Sequence, residues 1–162
     1  MASSDAAPPI GSKAPHFALE ATGGRTVALS DFLGRKNLVL YFYPKDHTPG
    51  CTLEACDFRD AYGRFEAEDT VILGVSRDPV TSHDRFTEKH RLPFLLLSDP
   101  TAAVARSYGA YGTKSFMGRE FLGIHRTTFV IDSRGTIRQI FPRVRVKGHA
   151  DEVLKFVRAG LA

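Results

Sequence analysis

The sequence predicts an α/β fold (α+β by some labels), a mixed central β-sheet flanked by helices. Three observations carry this. Residues 37–43 (NLVLYFY) and 71–75 (VILGV) are continuous apolar runs of strand length, the pattern of central strands covered on both faces. Helical stretches alternate with them in a βαβ rhythm, which implies parallel pairing. Residues 127–131 and 136–141 flank the turn Asp132-Ser133-Arg134-Gly135 as an antiparallel hairpin, so the sheet must be mixed.

At 162 residues, 43% hydrophobic and 25% charged, the chain has the size and composition of one globular domain. Its first nine residues are small, polar and proline-rich. They read as a flexible tail (1–9) that can be trimmed without harm, leaving one domain over 10–162.

Taken in order, residues 16–19 and 26–29 around Gly23-Gly24 read as an N-terminal hairpin, and Ser30-Asp31 as a helix cap. After the strand at 37–43, Pro44 ends the run. Thr48-Pro49-Gly50 then starts a helix, with Thr48 able to cap and Pro49 suited to the first position. Phe58, Tyr62 and Phe65 repeat at helical spacing and should face the core. The strand at 71–75 precedes a polar helix over 81–90, a strand at 94–97 and a short helix at 101–108. Residues 111–123 (YGTKSFMGREFLG) have three glycines and no clean period, and read as a long loop. A last helix covers 151–161, with Val153, Leu154, Phe156 and Val157 on its apolar side.

Charge and hydropathy exclude several classes. With 22 basic against 18 acidic residues, the excess is mild and spread out, which argues against a nucleic-acid partner. Arg143, Arg145 and Lys147 alternate as on a solvated extended edge. No apolar run approaches the roughly 18 to 20 residues that span a bilayer, and the start has neither a basic nor an apolar signal segment. Two cysteines five positions apart make no disulfide framework, so a reducing, cytoplasmic location is expected.

The cysteines carry the chemistry. Cys51 falls near the third position of its helix, where unpaired N–H groups and the helix dipole favour an anion such as a thiolate. Position alone leaves it either an activated nucleophile or a small buried hydrophobe. Cys56 lies five residues on, about 7.5 Å along the axis and roughly 140° around it, so the Cα atoms are about 8 to 9 Å apart. Disulfides need less than roughly 7 Å. If Cys51 were oxidised to a sulfenic acid, Cys56 could condense with it only after the first turns unwind. The in-place dithiol motif Cys-x-x-Cys is absent, which disfavours thioredoxin-type exchange. His47, Cys51 and Cys56 match no standard zinc spacing, so no metal is expected. His83 and His90 read as surface residues of a polar helix.

The run Tyr41-Phe42-Tyr43-Pro44-Lys45-Asp46-His47-Thr48-Pro49-Gly50-Cys51-Thr52, with Cys56 after it, closely resembles the peroxidatic segment of peroxiredoxins. It looks most like the peroxiredoxin Q, or bacterioferritin-comigratory-protein, subfamily. The likeness continues through residues 74–76 (GVS), 97–99 (LSD), 114–118 (KSFMG) and 123–132 (GIHRTTFVID).

This resemblance implies a thioredoxin-like fold and a thiol-dependent peroxidase acting on hydrogen peroxide and organic hydroperoxides in antioxidant defence. It implies Cys51 as the peroxidatic cysteine and Cys56 as the resolving one, the two joining in a redox-active disulfide that thioredoxin re-reduces. Thr48 would hydrogen-bond the peroxide, Pro44 would shield the site from water, and Arg126 would sit beside the thiolate. Alone, Arg126 reads as a surface charge. The resemblance implies no metal or organic cofactor, and it leans to a monomer. In the segment 111–123, Phe116, Met117 and Phe121 either line an apolar pocket mouth or pack in the core. A disulfide reductase and a redox-sensing interaction partner are the competing functions on such a scaffold.

Overall fold

The computed structural model describes residues 6–161. Of the expected tail, residues 1–5 lie outside the described residues. Ala6 and Ala7 pass so closely over Gly109 that a Cβ there would collide with their backbone.

The chain runs β1 (Ala18–Ala21), β2 (Thr26–Ala28), β3 (Asn37–Phe42), α1 (Pro49–Glu66), β4 (Thr70–Ser76), α2 (Val80–His90), β5 (Leu95–Ser98), α3 (Ala103–Ser107), β6 (Tyr111–Phe116), β7 (Arg119–Ile124), β8 (Thr127–Ile131), β9 (Ile137–Phe141) and α4 (His149–Gly160). Seven strands form one sheet in the order β2-β1-β5-β4-β3-β8-β9. β3 pairs parallel with β4, and β4 with β5; the remaining pairs are antiparallel, so the sheet is mixed as the sequence predicts.

The apolar run of β3 explains the layering. Side chains alternate across a strand, so Leu38, Leu40 and Phe42 enter one core with Phe17, Tyr108 and Phe129. Val39, Tyr41 and Tyr43 enter the other, beneath α1, α2 and α4. Helix α1 meets that face through Cys51, Ala55, Phe58, Ala61 and Phe65, close to a 3.6-residue period. Burying Phe58 and Phe65 contributes roughly 1.5–3 kcal/mol each. Gly74 on β4 is required by close approach: a Cβ there would lie 2.8 Å from Tyr41 Cζ and from Leu96 Cδ2.

Several expectations are corrected. Residues 111–123 are not a loop but the hairpin β6–β7, paired from Tyr111↔Ile124 to Phe116↔Arg119. Its turn, Met117-Gly118, has positive φ at both positions (51° and 78°), the primed geometry that fits hairpin twist. Met is an unusual residue there. The hairpin is also separate from the main sheet and mostly exposed, so no burial alternation marks it. Ser30-Asp31 belongs to a short 3-10 turn, Leu29–Asp31, in which the Asp31 carboxylate accepts the Ala28 N–H at 2.9 Å. Arg143, Arg145 and Lys147 are exposed, but lie in the irregular segment between β9 and α4 rather than on a strand edge.

His83 is the largest departure. It is wholly buried, not a surface residue. Its Nδ1 lies 2.7 Å from Asp46 Oδ2 and its Nε2 2.9 Å from the Leu97 carbonyl oxygen. An oxygen acceptor thus faces each ring nitrogen, and the Asp46 carboxylate lies against Nδ1. Tyr43 and Ser82 hydroxyls donate to the same carboxylate at 2.6 and 2.8 Å. Although burial opposes it, these donors hold the Asp46 carboxyl below its ordinary range, His83 foremost among them. The network ties the loop between β3 and α1 to α2.

Candidate active site

That loop and the first turn of α1 present the reactive residues. Pro44 follows Tyr43, whose backbone N–H still donates to Val75 O, and it cannot continue the ladder. Thr48 is the residue before the helix and Pro49 its first position, as the sequence predicts. The Thr48 hydroxyl does not cap the helix. It donates instead to the Lys45 carbonyl at 2.8 Å, which fixes the loop and leaves the oxygen lone pairs free to accept. Backbone bonding in α1 begins with Thr52 N–H to Thr48 O, so the Gly50 and Cys51 amides have no intrahelical acceptor.

Cys51 is 1% exposed, and Arg126 reaches it from the segment just before β8. Arg126 Nη2 donates to Cys51 Sγ at 3.3 Å. Arg126 precedes β8, and its carbonyl accepts the Val144 N–H at 2.9 Å, which fixes the base of the side chain. Burial opposes the Arg126 charge, but the facing Glu54 carboxylate and Cys51 thiolate outweigh it and strengthen it. Gly50 gives the guanidinium room: a Cβ on it would lie 3.3 Å from Nη2.

Sequence reasoning missed Glu54, one turn beyond Cys51. It is 1% exposed and accepts from Arg126 Nη1 at 2.6 Å, while its Oε2 has no partner among the described residues. Burial pushes its carboxyl up to about 7, against the pull of Arg126. The signal was its place: i+3 from Cys51 puts it on the same helix face. Tyr41 lies beneath, stacked 4.9 Å from Phe58, and burial pushes its hydroxyl far up.

Cys51 and Cys56 are both free thiols. They look in different directions along one continuous helix, Cys51 toward Arg126 and Cys56 toward His90 of α2. The hairpin face bearing Lys114 turns toward the site. Burial and then the Arg126 charge hold the Lys114 ammonium below its ordinary range, and Lys114 donates to the Ile124 carbonyl at 2.9 Å. Phe121 is the cross-strand partner of Lys114, and Phe116 lies two residues along, so both share that face. With Arg119 and Glu120 they line a surface cavity of about 350 Å³. Met117 sits at the turn, 85% exposed, outside that lining.

A buried thiol at a helix start, bonded to a guanidinium, on a mixed sheet flanked by helices defines a thiol-dependent oxidoreductase of thioredoxin-like fold. The AhpC/TSA family profile matches residues 10–140, and the chain belongs to that family. It is 48% identical over 149 residues to the Bacillus subtilis (strain 168) peroxiredoxin Bcp, covering 92% of this chain and 94% of that one. Xanthomonas campestris peroxiredoxin Q superposes with a TM-score of 0.85 at 42% identity, over 89% and 90% of the two chains. A trapped intermediate/ligand complex of the bacterioferritin comigratory protein from the same organism, described for its alkyl peroxide reduction activity, superposes at 0.84 with 41% identity, over 88% and 90%. The chain is an enzyme, a thiol peroxidase. Among the described residues no helix is long and apolar enough to cross a membrane.

Proposed function

We propose that Cys51 attacks hydroperoxides, including alkyl hydroperoxides, and that Cys56 resolves the oxidised product. The observation that carries this reading is the 3.3 Å contact of Arg126 with the Cys51 sulfur. The guanidinium steadies the thiolate and the charge that develops on the peroxide as its O–O bond breaks. The sulfur takes one oxygen as sulfenic acid, and the other leaves as alkoxide or hydroxide and collects a proton. Thr48, its donor hydrogen engaged with Lys45, accepts the peroxide O–H, and Pro44 keeps water from the thiolate. Phe116 and Phe121 form the apolar wall that larger peroxides meet.

Resolution follows unwinding of the first turn of α1. Ala55 and Phe58 are fully buried and hold the later turns, whereas Gly50 and the half-exposed Leu53 favour melting ahead of them. Cys56–SH then condenses with the sulfenic acid, forming the disulfide and water. A dithiol protein of the thioredoxin kind returns two electrons. We assign the enzyme to a reducing cytoplasm, acting as a monomer, with residues 10–162 as its one domain.

The test is intact mass and free-thiol count after one equivalent of hydrogen peroxide. Wild type should lose two hydrogens and both thiols, Cys56→Ser should stop at a sulfenic or higher oxide, and Cys51→Ser should not react promptly. Equal, slow oxidation of both cysteines in every variant would end this reading.

A further inference from the structure

We propose that His90 is the general base for the second step, taking the proton from Cys56 as its sulfur attacks the Cys51 sulfenic acid. The inference rests on the resolving role assigned to Cys56 above. His90 Nδ1 lies 3.9 Å from Cys56 Sγ, within reach of a sulfur hydrogen bond. The position of the ring is held from two sides. Arg59 Nη1 donates to the His90 carbonyl at 2.8 Å, and the Phe86 ring meets the imidazole edge-on at 5.1 Å. Phe86 is fully buried and makes a matching contact with His47 at 5.1 Å on the loop before α1.

The contact lies in the part of α1 that stays folded. Cys56 sits between the buried Ala55 and the buried Phe58, so melting of the first turn brings Cys51 to Cys56 while His90 remains against the attacking thiol. The charged groups facing the imidazole are Arg59 of α1, Lys89 of its own helix and His47 of the loop. Arg59 and Lys89 are cations, and His47 acts on the ring in the same direction. Burial and these charges hold His90 below its ordinary pKa, so the ring is neutral and able to accept at neutral pH. The same positive surroundings balance the negative charge that appears on Cys56 as its proton leaves.

The step balances without a further reagent. Cys56–SH gives its proton to Nδ1, the thiolate displaces the sulfenic oxygen of Cys51, and the departing hydroxide takes the imidazolium proton to leave as water. An unassisted thiol of pKa about 8.5 is only about 3% thiolate at pH 7, so a base in place can speed resolution by up to roughly 30-fold there. Faster resolution also shortens the life of the sulfenic acid, the species that excess peroxide drives to sulfinic acid.

Rapid-quench mass spectrometry of wild type, His90→Gln and His90→Gly separates the two steps. Cys51 oxidation, read in the same samples, reports whether each variant keeps its active-site fold. Both variants should form the Cys51–Cys56 disulfide about 10-fold or more slowly at pH 7 and accumulate more sulfinic acid under excess peroxide. The deficit should shrink as pH rises, since hydroxide then takes the proton that the ring otherwise accepts, and added imidazole should restore the His90→Gly rate. Disulfide formation at the wild-type rate at pH 7 would overturn the proposal. So would slowing that is equal at every pH and is not relieved by imidazole, since that is a structural effect. A wild type that forms no Cys51–Cys56 disulfide at all would instead remove the resolving role of Cys56, and His90 with it.

Discussion

Glutamine at position 54 removes one titration and leaves the side chain's shape nearly unchanged. Burial holds the Glu54 carboxyl at about 7 against an ordinary 4.5, despite a guanidinium at 2.6 Å. Between those two pH values the folded chain keeps a proton that the unfolded chain has released. Stability falls with rising pH wherever the native state binds more protons. Glu54 is therefore harmless below about pH 4.5, costs progressively more as pH climbs, and reaches its full penalty above about pH 7. A rise of about 2.5 pH units at roughly 1.4 kcal/mol each is on the order of 3 kcal/mol. Urea unfolding of the reduced protein, with Glu54→Gln beside wild type, measures this between about pH 4.5 and pH 8. Wild type should lose on the order of 3 kcal/mol relative to the variant across that range. A constant difference, within about 0.5 kcal/mol, would refute the reasoning and show that Arg126 keeps Glu54 ionised throughout. The titration also matters for chemistry. While Glu54 is neutral, the Arg126 charge is left to the Cys51 thiolate, and once it ionises the two anions share it.

Gly50→Ala should separate stability from activity. Alanine in a helix favours the fold by about 0.5–1 kcal/mol, but its Cβ would lie 3.3 Å from Arg126 Nη2 and shift the guanidinium. Cys51 oxidation should slow about 10-fold in single-turnover kinetics, with unfolding midpoints equal or higher. His83→Leu leaves the Asp46 carboxylate buried without its main partner, and should destabilise the fold by about 3–5 kcal/mol in denaturant titration. A loss below about 1 kcal/mol would mean that this contact does not hold the loop to α2. Phe121→Ala should raise the rate with a bulky alkyl hydroperoxide severalfold relative to hydrogen peroxide in competition assays, and an unchanged ratio would remove Phe121 from the substrate wall.

Much of the architecture was legible because it depends on short-range pattern. The runs at 37–43 and 71–75 read as covered strands and Thr48-Pro49-Gly50 as a helix start, which puts Cys51 in its first turn. The β8–β9 hairpin followed from its turn. The β6–β7 hairpin stayed hidden because most of it is exposed without alternation and it turns on Met117-Gly118. His83 was misread for the opposite reason, since the residues beside it in α2 are polar and only the arrival of Asp46 from another loop makes its burial tolerable.

By itself, then, the sequence determined the helix start, the anion-favouring position of Cys51 and the spacing that keeps Cys56 out of disulfide range, because each depends on a few neighbouring residues. Its motifs also placed Arg126 in a recognisable family pattern. Only the tertiary structure decided the contact between Arg126 and Cys51, 75 positions apart, the burial that raises Glu54, and the meeting of Cys56 with His90. Those depend on which strands become neighbours and which helices cover them. Long-range pairing and the desolvation it brings are properties of the folded arrangement, and no local run of residues carries them.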